Sequence, residues 1–411
     1  MKFHALIAVI LAWFFIFRPG ILYAGAPEAE SLSREIQERH SPFGTILDPI
    51  FSAPDSNGII GYTRAGDSAI WTAHYLAAEA FRYRVTGSIE ALAYARRALA
   101  AIATLVEAPG TGLLARCAIP ADSPWLDSIA REEARHGIYD GICAGKPCKW
   151  IGHTSRDQYA GVFFGLGAAW DNISDPSVRA LIRSIVHRLL DFLLDHHWNI
   201  LMPDGSISST FWGRFDQQLT LLAIGRHIDP GRFGPTYERW SRFAAPLTVM
   251  PMLLESLTPW YSYHKYNLAS INFYHLVHWE PEAYRAWFYR AAYRVLWKAT
   301  RAHQNAFFTV IHAAIEGKQA GQDVEVGALL AALLARPRRD FPVDLRTVYA
   351  SCGTPDEACS PIPIQDRVAT DFLWQRSPFQ LRGNGGGLIE SAGIDYLLPY
   401  WMARRYGFSI D

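Results

Sequence analysis

Residues 153–170 read His-Thr-Ser-Arg-Asp-Gln-Tyr-Ala-Gly-Val-Phe-Phe-Gly-Leu-Gly-Ala-Ala-Trp. Six polar residues are followed by twelve without a charge. A surface helix carries a polar stripe, whereas a helix that is apolar all round is buried. The stretch therefore predicts a buried helix over 158–170 that starts from a polar cluster. The same unit occurs five more times, at Gly66-Asp67-Ser68-Ala69-Ile70-Trp71, Gly213-Arg214-Phe215-Asp216-Gln217, Lys265-Tyr266-Asn267-Leu268, His303-Gln304-Asn305-Ala306 and Glu390-Ser391-Ala392-Gly393-Ile394-Asp395-Tyr396.

Helical spacing of apolar residues predicts helices at 70–85, 89–106, 158–170, 176–196, 217–227, 235–257, 268–278, 281–300, 306–315, 324–334 and about 391–406. Segments such as 178–195 and 282–301 carry Arg, Asp and Glu on one face. Buried helices alternating with amphipathic ones suggest an inner ring inside an outer ring, with 28–39 as the sixth outer helix. No run of alternating strands is evident, so the fold class read here is all-α. Two stretches, 110–155 and 337–385, read as irregular insertions in a single domain spanning 25–411. The helix spacing is uneven, which excludes a solenoid of one fixed period.

The totals narrow the functional classes. Lys plus Arg and Asp plus Glu are 39 each, so no basic footprint for nucleic acid exists. Lys2, the apolar run 6–17 and Leu22-Tyr23-Ala24 read as a signal peptide over 1–24, with an uncleaved anchor as the alternative. The run is shorter than the ~20 residues of a spanning helix. Export, to the periplasm or outside the cell, agrees with the five cysteines. Cys143/Cys148 and Cys352/Cys359 are spaced for short-loop disulfides, and Cys117 is left over. Zinc is a weaker reading, because neither spacing is Cys-x-x-Cys. No cofactor motif is present, and no stable membrane partner is expected after cleavage.

With these six units the chain resembles the six-hairpin glycosidase superfamily, the (α/α)6 toroids, over about 60–406. The resemblance rests on hairpin count, polar helix starts and aromatic load. It implies a toroid whose inner helices begin at one mouth, where the loops build a carbohydrate pocket. Members include hydrolases, uronyl hydrolases, epimerases and polysaccharide lyases, so the implied partner is an oligosaccharide or polysaccharide. Fold analogy alone does not establish the chemistry.

Glycoside hydrolysis needs two carboxyl groups flanking the bond. The candidates are Asp67, Asp157, Asp216, Glu390 and Asp395. Asp67 and Asp157 resemble by position the acids that uronyl hydrolases place near inner-helix starts, and are taken as the catalytic pair. Asp and Asn are also good N-caps, which explains each of them singly. His153, Arg156 and Gln158 complete the densest cluster, with Trp71 beside Asp67. Arg156, with Arg64 and Arg214, would hold a uronate carboxylate, or bridge to neighbouring Asp residues as structural pairs. Tyr261, His264 and Asn267 lie in an aromatic stretch that suits a sugar platform. A Tyr/His pair also suits the proton abstraction of a lyase or epimerase. His275/His278 and His196/His197 lack companion carboxylates at metal spacing, so no metal site is read. Gly383 to Gly387 reads as a flexible loop leading to Glu390. Three functions compete: a glycoside hydrolase, a lyase or epimerase, and a noncatalytic carbohydrate-binding protein.

Overall fold

The computed structural model describes residues 25–257, 262–349 and 356–410. The predicted signal peptide, Tyr261 and Cys352 lie outside them.

The chain is mostly helical, with fourteen α-helices among the described residues. They are α1 (Ala26–Glu35, continued by a π turn to His40), α2 (Ser68–Thr86), α3 (Ile89–Glu107), α4 (Leu126–Glu132), α5 (Arg156–Asn172), α6 (Pro176–Asp195) and α7 (Phe215–Ile228). There follow α8 (Pro230–Ala244), α9 (Val249–Ser256), α10 (His264–His278), α11 (Ala283–Thr300), α12 (Ala306–Glu316), α13 (Gln322–Leu334) and α14 (Ile394–Arg405). α2, α5, α7, α10, α12 and α14 are buried nearly all round, as sequences poor in charge require. Ser68 to Arg82 of α2 are all buried. α6 instead buries one face, through Val178, Ile182, Ile185, Val186, Leu189, Leu190 and Leu193.

The six buried helices touch in chain order, α2 on α5, α7, α10, α12 and α14 in turn, and α14 packs on α2. Each also carries one amphipathic helix: α3 on α2, α6 on α5, α8 on α7, α11 on α10, α13 on α12 and α1 on α14. The α2–α5 approach depends on glycine. A Cβ on Gly165 would lie 2.3 Å from the Ala73 carbonyl oxygen, and one on Gly161 2.4 Å from the Ile70 side chain.

Short antiparallel sheets precede four of the buried helices. β1 (Asp48–Phe51) and β2 (Ile59–Thr63) come before α2; β3 (Cys117–Pro120), β4 (Ile138–Cys143) and β5 (Lys146–Ile151), in the order β3-β5-β4, come before α5. β6 (Asn199–Leu201) and β7 (Ile207–Thr210) come before α7, and β8 (Val343–Asp344) and β9 (Arg382–Gly383) before α14. The stretch 110–155, read as irregular, thus holds a three-stranded sheet and α4. Its strands are too short for alternation to stand out. The predicted helix 235–257 is broken into α8, a 3-10 turn at Pro246–Thr248 and α9. Pro246 cannot donate to continue the helix.

Cys143 and Cys148 form a disulfide, and Cys117 is a buried free thiol. The bridge spans a hairpin whose turn residues Ala144 and Gly145 both have positive φ (49° and 80°), the signature of a type I′ turn. No helix of the described residues is long and apolar enough to cross a membrane.

Candidate functional site

Asp67 and Asp157 line one pocket of about 210 Å³, together with Ile70, Trp71, His264, Gln375 and Arg376. Asp67 ends a 3-10 turn immediately before α2, and Asp157 is the second residue of α5. Gln158 ties these two helix starts together. Its Nε2 donates to Asp67 Oδ1 at 2.9 Å, and its Oε1 accepts from Ile70 N–H at 3.0 Å. Arg116 stands 3.7 Å from Asp67 Oδ1 and is anchored by donating to the carbonyls of Gly66 (2.6 Å) and His153 (3.0 Å).

The two carboxyl groups differ in their surroundings. Partial burial, which leaves 44% of the side chain exposed, and next the charge of Asp371 raise Asp67 from its ordinary value; Asp157 adds to the rise, while Arg116 and the Gln158 hydrogen bond oppose it. Asp157 is half-buried and has no side-chain hydrogen bond or ion pair among the described residues. Asp371 is buried and pairs with Arg376 at 3.1 Å. The pocket therefore presents one carboxyl group biased toward its protonated form, one unpaired carboxyl group, a histidine and a guanidinium. That set can donate a proton, accept one and hold a polar ligand.

The centre of this region is filled by the chain itself. Phe372 is fully buried and stacks on Trp71, with centroids 4.9 Å apart and planes at 27°. It also meets His74 and Phe307 edge-on. Trp71, expected to contact substrate, is thus covered on one face, and its Nε1 is buried without a hydrogen-bond partner. Burial drives His74 down to about 4, so its ring is neutral at pH 7.

The N-cap explanation of the polar clusters holds for one residue. Asn305 accepts from Phe308 N–H at 3.1 Å and caps α12. α2, α5, α7, α10 and α14 begin without a side-chain cap, while α3, α6, α8 and α11 are capped by Ser88, Asp175, Asp229 and Glu282. Asp157, Asp216, Asn267 and Asp395 lie inside the first turns, where their own backbone is already helical. Asp67 does hold the cap position, but it turns its oxygen to Gln158.

The remaining predicted residues are dispersed. Arg214 is committed to Asp216 in a two-pronged pair (3.1 and 2.9 Å) and to Glu255 at 2.8 Å, so it is a structural bridge. Asp216 is fully buried under it. Arg156 donates to the Thr210 carbonyl at 2.6 Å, and Arg64 pairs with Asp48 at 2.6 Å. None of the three arginines lines the pocket. His153 is exposed with φ 43°, and its carbonyl anchors Arg116. Asn267 is buried, with both side-chain polar atoms unpartnered.

Glu390 and Asp395 line a different cavity. Burial would push Glu390 up, but His40, 3.5 Å away, and then Arg338 and Arg39 hold it at about 2. The glycine run before it is packed, since a Cβ on Gly385 would overlap the Asp340 carbonyl. His275 is a core residue, with Nε2 bonded to the Phe164 carbonyl at 3.0 Å. Among the described residues no cluster of three or more His, Cys, Asp or Glu is arranged to hold a metal.

Sequence reasoning missed Arg116, Asp371, Gln375 and Arg376. The last three flank Phe372-Leu373-Trp374, an apolar triad inside a stretch read as irregular, with Asp371 before it and Gln375 and Arg376 after it. Such a triad has to be buried, and that was the available signal. Comparison with protein-family models, with curated proteins and with solved structures gives no match.

Proposed function

We propose that the chain is an exported (α/α)6 toroid and a carbohydrate-active enzyme, a glycoside hydrolase acting on an oligosaccharide, with Asp67 as general acid and Asp157 as general base or nucleophile. One observation carries the reading: two carboxyl groups from the starts of neighbouring buried helices line one pocket, and one of them is biased toward its protonated form. Hydrolysis needs that difference between its two acids. The toroid is supported by the order in which the buried helices touch and by α14 packing on α2. Export is supported by the Cys143–Cys148 disulfide and the apolar N-terminal run.

Asp67 has the role opposite to the one its position suggests. A helix N-terminus favours a carboxylate, whereas burial and Asp371 push Asp67 the other way. In the proposed step Asp67 gives its proton to the leaving glycosidic oxygen as that bond breaks. Asp157 takes a proton from the attacking water, or attacks the sugar itself. Arg376 and His264 hold polar groups of the sugar, and Arg376 suits a uronate carboxylate. Incubation of the purified chain with uronate-containing oligosaccharides tests the reading. New reducing ends without absorbance from a new double bond support hydrolysis. A new double bond supports the lyase reading, with His264 as the base. No turnover of any such substrate would leave a binding protein.

A further inference from the structure

A second cavity, of about 170 Å³, shares no lining residue with the Asp67/Asp157 pocket. It lies among α1, the end of α13 and the start of α14. Leu32, Leu333 and Ala369 supply apolar wall, Arg336, Thr370 and Asp395 supply polar groups, and Arg338 with Glu390 completes the charged lining.

Two charges in this cavity lack counter-ions. Arg336 donates to the Arg367 carbonyl but forms no ion pair within 4.0 Å among the described residues. Asp395 is buried and accepts from Leu373 N–H at 3.3 Å, again without an ion pair within 4.0 Å. The two sense each other across the space, each favouring the other's charged form. Asp395 is buried and Arg336 partly so, and charges taken out of water are ordinarily paired, because leaving water is costly. Thr370 Oγ1 is also buried there without a hydrogen-bond partner. The neighbouring Arg338, by contrast, is engaged by Glu35 and Glu390.

We propose that this cavity binds a small molecule that carries a carboxylate and, at its other end, a hydrogen-bond donor. The carboxylate meets Arg336 and Thr370, and the donor meets Asp395. The volume is below the ~300 Å³ at which drug-sized sites begin, so the ligand is the size of one sugar ring or one amino acid. An amino acid zwitterion and a hydroxy acid such as a uronate share this chemistry.

Calorimetric titration of the full chain tests the proposal, with leucine and glucuronate as probes and leucinamide and glucose as the matching compounds without a carboxylate. One of the two acids is expected to saturate, and its neutral counterpart is not. Leucine alone assigns an amino acid site and glucuronate alone a sugar-acid site. Arg336→Gln should weaken binding on the order of ten- to a hundredfold, the value of a charge-assisted contact. Asp157→Asn should leave it unchanged, which separates this cavity from the proposed catalytic pocket. If Arg336→Gln does not fold, Thr370→Val serves, with a weakening of several-fold expected. The proposal is overturned if neither acid saturates by ~10 mM, a range that covers weak small-molecule binding. Equal binding of the neutral analogues, or unchanged affinity in the variant that folds, also overturns it.

Discussion

Asp157→Asn removes a charge and keeps the shape of the side chain. The residue is not a cap, so no capping bond is lost. Its carboxylate sits in the first turn of α5, where the helix dipole favours negative charge by ~0.3–1 kcal/mol. Removing it also relieves part of the repulsion that raises Asp67. The two effects oppose each other, so the net change in stability should stay within about 1 kcal/mol. For a domain of this size that is no more than about 2–4 °C in melting temperature. A general base contributes about 10²–10⁴ in rate, and turnover should fall by that factor. The pH profile supplies a second readout. Activity requires Asp67 protonated, so it is lost as pH rises through the pKa of Asp67. Without the charge of Asp157 that pKa falls, and the alkaline limb of the residual activity should move to lower pH. The assay is release of reducing ends from uronate-containing oligosaccharides across pH 4–8 (about one unit per point near the limb), with a melting curve for each preparation. Folded Asp157→Asn protein with undiminished turnover would refute the catalytic assignment.

Three further outcomes are expected. Arg214→Met should destabilise by ~3–5 kcal/mol in denaturant titration, because it strands the fully buried Asp216; a change below about 1 kcal/mol would mean that water reaches Asp216. Burial raises Asp395 to about 6, so the folded state holds its proton more tightly than the unfolded chain, and this group's penalty grows as pH rises from about 4 through about 6. Asp395→Asn should therefore match the native chain near pH 4 and exceed it by up to ~3 kcal/mol at pH 7.5, and equal stability at both pH values would contradict the buried ionisation. In unreduced peptide maps Cys143 and Cys148 should appear linked, with Cys117 alkylated only after unfolding. Reduction should cost about 2 kcal/mol, as the loop is short.

The buried helices and their partners were legible because burial on all sides leaves a compositional mark. A segment such as 159–170 has no charged residue to offer solvent, and α6 shows its stripe at 3.6-residue spacing. The sixth amphipathic helix, α1, was legible for the same reason, as was the Cys143–Cys148 pair from its spacing. The broken 235–257 segment was readable in principle, since Pro246 stands in it. The short strands were not, because two to six residues carry too little alternation to outweigh glycine, proline and cysteine around them.

The site divides in the same way. Composition and helix starts singled out Asp67, Asp157, Gln158, Trp71 and His264 as polar or aromatic residues next to buried helices, and all but Gln158 line one pocket, with Gln158 tying the pair together. Nothing local distinguished Asp157, which is unpaired, from Asp216, which Arg214 holds from two residues before it. Nor could it reveal that Glu390 and Asp395 belong to another cavity, or that Phe372, about 300 residues from Trp71 in the chain, covers that ring. Local sequence determined which helices are buried and, to within about a turn, where each begins, because hydrophobic period and chain stiffness act over a few residues. Tertiary structure alone decided which charges are paired, which are desolvated and which face open space, because those depend on groups brought together from distant parts of the chain.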